Sequence, residues 1–216
     1  HFTDRRQRQM CIRDRLNSMS RKFWVELPEI LEEVNRNSEI RVLIISSTGK
    51  HFCAGMDLSA FDNGVANIPK EKRPDNARIG EALYRSAREL QEYISKLEKI
   101  RVPVIAAIHG GCIGGAVDLV TACDIRLATT DAFFCIQEIN IGMAADVGTL
   151  QRLPRIIPDS KMRELAYTGR RMLADEAKES GLVSDVYNSQ EEMVNAAKEM
   201  ANEIAKKSPI AIYGLK

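Results

Sequence analysis

GGCIGGAVDLVTACD, residues 110–124, sets two glycine pairs in front of an apolar run that carries a single acid, Asp118. VPVIAAI, residues 102–108, precedes it and reads as a buried β-strand. Strand, glycines and then helix make an α/β junction. A helix start leaves backbone N–H groups without partners, and glycine lets a foreign oxygen approach the backbone closely. The pattern is neither GxxxxGK[ST] nor GxGxxG, so a nucleotide loop and a dinucleotide turn are both set aside. Two readings remain: a cradle for a developing oxyanion, or close packing.

Asp118 lies three residues past Gly115, about one helical turn. Residues at that spacing share a face, so the acid and the free N–H point the same way. Its neighbours Ala116, Val117, Leu119 and Val120 are apolar. An unpaired carboxylate among them is costly, so the sequence predicts a partner or a bound proton. The plainer alternative is a solvated or capping acid. HFCAGMD, residues 51–57, has the same character: small residues around Gly55, directly after the apolar run IRVLIISS at 40–47. Two such junctions each offer one N–H to one carbonyl oxygen, and one such donor is worth about 3 kcal/mol of barrier.

Outward from these junctions, helical spacing predicts a helix over 20–37 with a kink or late start at Pro28, and a long amphipathic helix over 75–100. Short strands follow at 124–129 and 132–136. A loop containing a short helix near 147–153 comes next, then a helix capped by Asp159 or Ser160. A short helix ended by Gly181, a strand at 182–187, a helix over 190–208 and the start of another complete an α/β alternation without a second domain.

The chain has 216 residues, 44% apolar, with Lys+Arg 31 against Asp+Glu 30. That suffices for one core. It gives no electrostatic footprint for nucleic acid, which 6% aromatics also fail to support. No apolar run reaches a membrane span. The cysteines (Cys11, Cys53, Cys112, Cys123 and Cys135) are odd in number and show no CxxC, which points to a reducing compartment, and the last four lie in apolar runs and read as small core residues. His1, His51 and His109 show no metal-ligand spacing, and no metal is expected.

IAAIHGGCIGGAVDLVTACDIRLAT, with HFCAGMDL before it and FCIQEINIGMAADVGTLQRLPRIIP after it, resembles the enoyl-CoA hydratase/isomerase (crotonase) superfamily. Within it the chain is most similar to the Δ3,5-Δ2,4-dienoyl-CoA isomerases. The resemblance covers residues 20–216 and implies an α/β spiral of repeated ββα units. It also implies that the backbone N–H groups of Met56 and Gly115 form an oxyanion hole for a CoA thioester. Ala54, Gly55, Met56, Asp57, Leu58 and Gly114 would then lie along the CoA ester.

Asp118 and Glu138 match positions where hydratases usually carry glutamate. Asp146 falls where hydratases usually carry a small uncharged residue, and an Asp, Glu, Asp set is the dienoyl-CoA isomerase pattern. Such a set suits a 1,5 proton shift, with Glu138 and Asp146 as the exchanging pair and Asp118 in support. Three carboxylates in one apolar pocket predict a raised pKa for at least one. No cofactor is implied, since the CoA thioester is the substrate. A 2-enoyl-CoA hydratase or Δ3-Δ2-enoyl-CoA isomerase is the enzymatic alternative, and a non-catalytic acyl-CoA-binding subunit the non-enzymatic one.

Residues 1–19 depart from the family. They read as a disordered basic arm or as sequence foreign to the chain. The C-terminal helical segment that builds trimers, often paired into hexamers, is expected to be missing after residue 216. The implied compartment is the cytoplasm of a bacterium, or the mitochondrial matrix or peroxisome of a eukaryote.

Overall fold

Ser20 opens the first helix: its hydroxyl accepts the Phe23 N–H at 3.4 Å, and α1 (Arg21–Arg36) runs on from it. Pro28 lies inside α1 and neither starts nor ends it. Proline removes one N–H from the helix ladder. The helix persists because Trp24, Leu27, Leu31 and Val34 bury one face along its whole length. At its C-terminus the Arg101 guanidinium donates to the carbonyls of Val34, Asn35, Asn37 and Ile40. These are the acceptors that a helix end and its following turn leave open. Arg101→Ala is expected to cost roughly 2 kcal/mol. The check is a lower urea midpoint at unchanged slope.

This computed structural model describes residues 16–57 and 75–216. The basic stretch at 5–15 and Leu58 lie outside the described residues. Residues 16–19, counted with the disordered or foreign arm, instead join the fold: Met19 is 1% exposed and the Asn17 side chain donates to the Phe52 carbonyl at 2.6 Å. Two sheets carry the fold. In the first, β1 (Leu43–Ser46), β2 (Val104–Ile108), β4 (Ile125–Thr129) and β7 (Asp185–Tyr187) pair in parallel in that order. In the second, β3 (Gly111–Ile113) pairs in parallel with β5 (Phe133–Cys135), which pairs antiparallel with β6 (Met172–Leu173).

The chain steps from one sheet to the other and then into a helix. β2 leads to β3 and α3 (Gly115–Thr121), and β4 leads to β5 and, after a loop, α4 (Thr149–Arg152). β1 leads to a parallel bridge between Cys53 and Cys112 and then to α2 (Asn76–Lys99). This is the expected ββα repetition.

β2 is buried at every residue, as a central parallel strand covered on both faces must be. Val104, Ala106 and Ile108 join the main core with α1, α2 and α3. Ile105 and Ala107 face the other way, onto Met193 and Ala197 of α7 (Gln190–Ala205). The two-residue period of a strand divides them.

Three expectations need correction. Residues 111–113 are a strand rather than part of a glycine turn, and β6 was not foreseen. Both are two or three residues long, too short to show a period. The strand expected at 182–187 shortens to Asp185–Tyr187, because Leu182 and Val183 pack into the core ahead of it. In α5 (Asp159–Thr168) the cap is Pro158, not Asp159 or Ser160. Asp159 instead sits in the first turn and pairs with Arg163 at 2.7 Å. The remaining helices are α6 (Ala174–Glu179) and α8 (Pro209–Leu215).

Candidate active site

Residues 52–53 run beside β3. The Cys53 N–H donates to the Gly111 carbonyl and the Ile113 N–H donates to the Cys53 carbonyl, both at 3.1 Å. The chain then turns at Gly55, whose φ is +89°. A Cβ there would stand 2.6 Å from the Ile113 carbonyl oxygen, so only glycine fits. Met19 pins the next residue. Its N–H donates to the Gly55 carbonyl at 2.8 Å, and its carbonyl accepts the Asp57 N–H at 3.1 Å.

Met56 is left between these two bonds. Its nitrogen lies 3.8 Å from the place a Gly115 Cβ would occupy, and the Gly115 nitrogen lies 3.6 Å from the place of a Gly55 Cβ. Neither N–H has an acceptor among the described residues. The two glycine junctions therefore meet, with two free donors side by side. Ala54, Gly55 and Asp57 flank them. Gly114 differs, because its N–H donates to the Cys135 carbonyl at 2.9 Å. Its contribution is space: a Cβ there would stand 3.2 Å from Glu138 Oε1.

Asp118 is 1% exposed. Its Oδ1 accepts the Thr149 N–H at 2.6 Å, and its Oδ2 has no partner among the described residues. The carboxylate thus caps α4, whose own cap residue is Gly148 and offers no side chain. Burial pushes its pKa up to about 7, with the Glu138 charge adding and the Thr149 bonds and Arg152 opposing. The expected partner is the Thr149 N–H, and the raised pKa runs in the direction of the expected proton.

Glu138 is half-buried and opens a 3-10 turn, Glu138–Ile141; its Oε2 is also without a partner among the described residues. Burial raises its pKa, and the charge of Asp146 raises it further. Asp146 is exposed, not enclosed with the other two. Ala145 and Val147 take the buried places on either side, so the acid between them turns outward. The single apolar pocket with three acids is corrected to two sheltered acids and one at the rim.

The pH dependence of stability follows from Asp118. Unfolded chains lose this proton near 3.8 and the folded protein keeps it to about 7. Between those values this carboxyl binds more of its proton in the folded state, so its contribution to stability falls as pH rises. The difference is worth roughly 4 kcal/mol. Asp118→Asn keeps an acceptor for the Thr149 N–H and is expected to flatten this slope. Thermal midpoints across the same pH range check it.

Sequence reasoning missed Thr149, Gln91 and Arg152. Thr149 carried a signal, since it follows Gly148 at a helix start. Gln91 and Arg152 carried none, because their partners are distant in the chain. Elsewhere, burial pushes the thiols of Cys53 and Cys123 up to about 11 and about 12, which suits packing rather than nucleophilic work. Among the described residues no cluster of His, Cys, Asp and Glu fits a metal ion, and no helix is long and apolar enough to cross a membrane.

The sequence profile described as enoyl-CoA hydratase/isomerase matches residues 8–216. The chain belongs to the enoyl-CoA hydratase/isomerase family. Over 204 residues this family member is 46% identical to the mitochondrial Δ(3,5)-Δ(2,4)-dienoyl-CoA isomerase of Rattus norvegicus, a match covering 94% of the chain and 62% of the rat protein. It is 45% identical over 201 residues to the peroxisomal Δ(3,5)-Δ(2,4)-dienoyl-CoA isomerase of Arabidopsis thaliana, covering 93% and 72%. Among solved structures, an enoyl-CoA hydratase from Bacillus anthracis superposes with a TM-score of 0.79 at 34% identity, covering 92% of this chain and 72% of that one. The chain thus spans about three fifths of the length of the rat relative, 62%.

Proposed function

We propose that this chain carries the catalytic core of a Δ3,5-Δ2,4-dienoyl-CoA isomerase acting in fatty-acid β-oxidation. The observation that carries the reading is Asp146. It is a third carboxylate at the rim of a site that already holds Asp118 and Glu138, and its charge reaches Glu138. The names of the rat and Arabidopsis relatives support it.

In this reading the thioester oxygen accepts the N–H groups of Met56 and Gly115, and the CoA arm follows Ala54 to Asp57 and on past Leu58. Loss of the C2 proton to one carboxylate puts negative charge on that oxygen, where two fixed donors are of most use. The electron pair from the C2–H bond makes C2=C3, the old C3=C4 pair becomes C4=C5, and the C5=C6 pair takes a proton at C6. Glu138 and Asp146 serve the two ends. One proton leaves and one arrives, so no oxidant, metal or cofactor is required. Asp118, its pKa pushed up to about 7 by burial, anchors α4 and places less negative charge beside Glu138 than an exposed acid would.

A homo-oligomer, trimeric or hexameric, fits the apolar surface of α8, where Ile210, Tyr213 and Leu215 are 82%, 64% and 84% exposed. The compartment proposed is the mitochondrial matrix or peroxisome in a eukaryote and the cytoplasm in a bacterium.

One observation favours a second reading, 2-enoyl-CoA hydration. Asp118 Oδ2 and Glu138 Oε2 are both buried without partners among the described residues, and a substrate water needs two such acceptors. Ultraviolet assays with a 3,5-dienoyl-CoA and a 2-enoyl-CoA separate the two. Growth of the conjugated 2,4-dienoyl band in the first is expected. Loss of the enoyl band in the second, with the first unchanged, overturns the isomerase reading. Silence in both with intact thioester binding assigns a binding role.

A further inference from the structure

Asp146 stands in a stretch without regular structure, 142–148, yet the backbone at and just after it is held by three hydrogen bonds. The Gln91 side-chain Nε2 donates to the Asp146 carbonyl at 2.7 Å. An Arg152 guanidinium nitrogen donates to the Val147 carbonyl at 3.2 Å. The Thr149 N–H donates to Asp118 at 2.6 Å. Ala145 and Val147 are buried on either side. A loop fixed at successive residues presents the side chain between them in one direction.

The hold comes from α2. Arg152 is itself held by Glu98 at 2.8 Å and by the Ser95 hydroxyl at 2.9 Å. Gln91, Ser95 and Glu98 are spaced by four and three residues and so line one face of that helix. Ile94 and Leu97, fully buried, fix the rotation of α2 against the core. The Gln91 amide is oriented as well, since its Oε1 accepts from Arg88 at 3.5 Å. Of these contacts, the Gln91 bond alone reaches the residue that carries the rim acid.

We propose that Gln91 is a positioning residue for Asp146: through the Asp146 carbonyl it sets where that carboxyl meets the acyl chain. This rests on the isomerase reading above. Gln91 touches no reacting atom. Its loss therefore should affect the one proton transfer that Asp146 serves and spare the one that Glu138 serves.

Deuterium exchange in heavy water separates the two transfers. Exchange at C2 is read from the 3,5-dienoyl thioester and exchange at C6 from the 2,4-dienoyl thioester, for wild type, Asp146→Asn and Gln91→Met. Methionine has about the same bulk as glutamine and no donor. Gln91→Met is expected to slow exchange at the end that Asp146→Asn abolishes, on the order of ten- to a hundredfold. The other end should stay within about twofold of wild type, and KM should not move. If Gln91→Met folds poorly, Gln91→Lys, which keeps an N–H donor, should exchange at both ends close to wild type. Wild-type rates at both ends in Gln91→Met, equal slowing at both ends, or one-ended loss in Gln91→Lys overturn the proposal. A wild type that moves neither proton overturns the isomerase reading and this inference together; an active wild type with any of the former results overturns the inference alone.

Discussion

Asp146→Asn is expected to lower kcat for 3,5-dienoyl-CoA isomerisation by about a thousandfold, the size of a lost general acid or base. The change removes a proton carrier and leaves the shape of the rim. Asp146 is exposed, so the thermal midpoint should move little. Thioester binding should also survive, because the Met56 and Gly115 donors lie on other segments. A hydratase that works through Asp118 and Glu138 alone would keep its rate in this variant. The substitution therefore separates the two readings as well as testing a residue. Steady-state kinetics on both thioesters, with a melting curve beside them, is the check.

Gly55→Ala is the second large effect, and its pattern differs. The new methyl would stand 2.6 Å from a backbone carbonyl oxygen, that of Ile113, at a φ of +89°. A backbone carbonyl cannot swing aside as a flexible side chain does, so the turn itself must shift. That turn carries the Met56 N–H beside Gly115, and loss of one oxyanion donor costs about a hundred- to a thousandfold in kcat. The strained residue adds about 1–3 kcal/mol of lost stability. Every thioester reaction of this site should suffer alike, hydration included. Wild-type turnover in the Gly55→Ala variant would mean that the Met56 donor is not used.

Much of this was legible in the sequence because the chemistry sits on short, strongly marked segments. The strand–glycine–helix junction at 108–118 and the smaller one at 51–57 announced themselves by residue type. Their meeting in space needed the parallel pairing of Cys53 with Cys112, which no local pattern encodes. Asp118 was singled out by its apolar neighbours and proved buried. Its second task, capping α4 through Thr149, depends on a contact 31 residues away.

Asp146 was identified through the resemblance, but its exposure was misjudged. Alternation around Ala145 and Val147 decides it, in a loop with no period to read. The strut from Gln91 bridges 55 residues and was invisible for the same reason. Pro28 misled in the other direction. A buried helix face outweighed the missing hydrogen bond.

The most direct test of the central claim is where the proton goes. A 3,5-dienoyl-CoA is turned over in heavy water and the product is examined by mass and by NMR. The account predicts a 2,4-dienoyl thioester with deuterium at C6 and no added water. Deuterium at C4 instead would mean a 1,3 shift without use of the far carboxylate, and a product heavier by one water would mean a hydratase; either result contradicts a relay between Glu138 and Asp146.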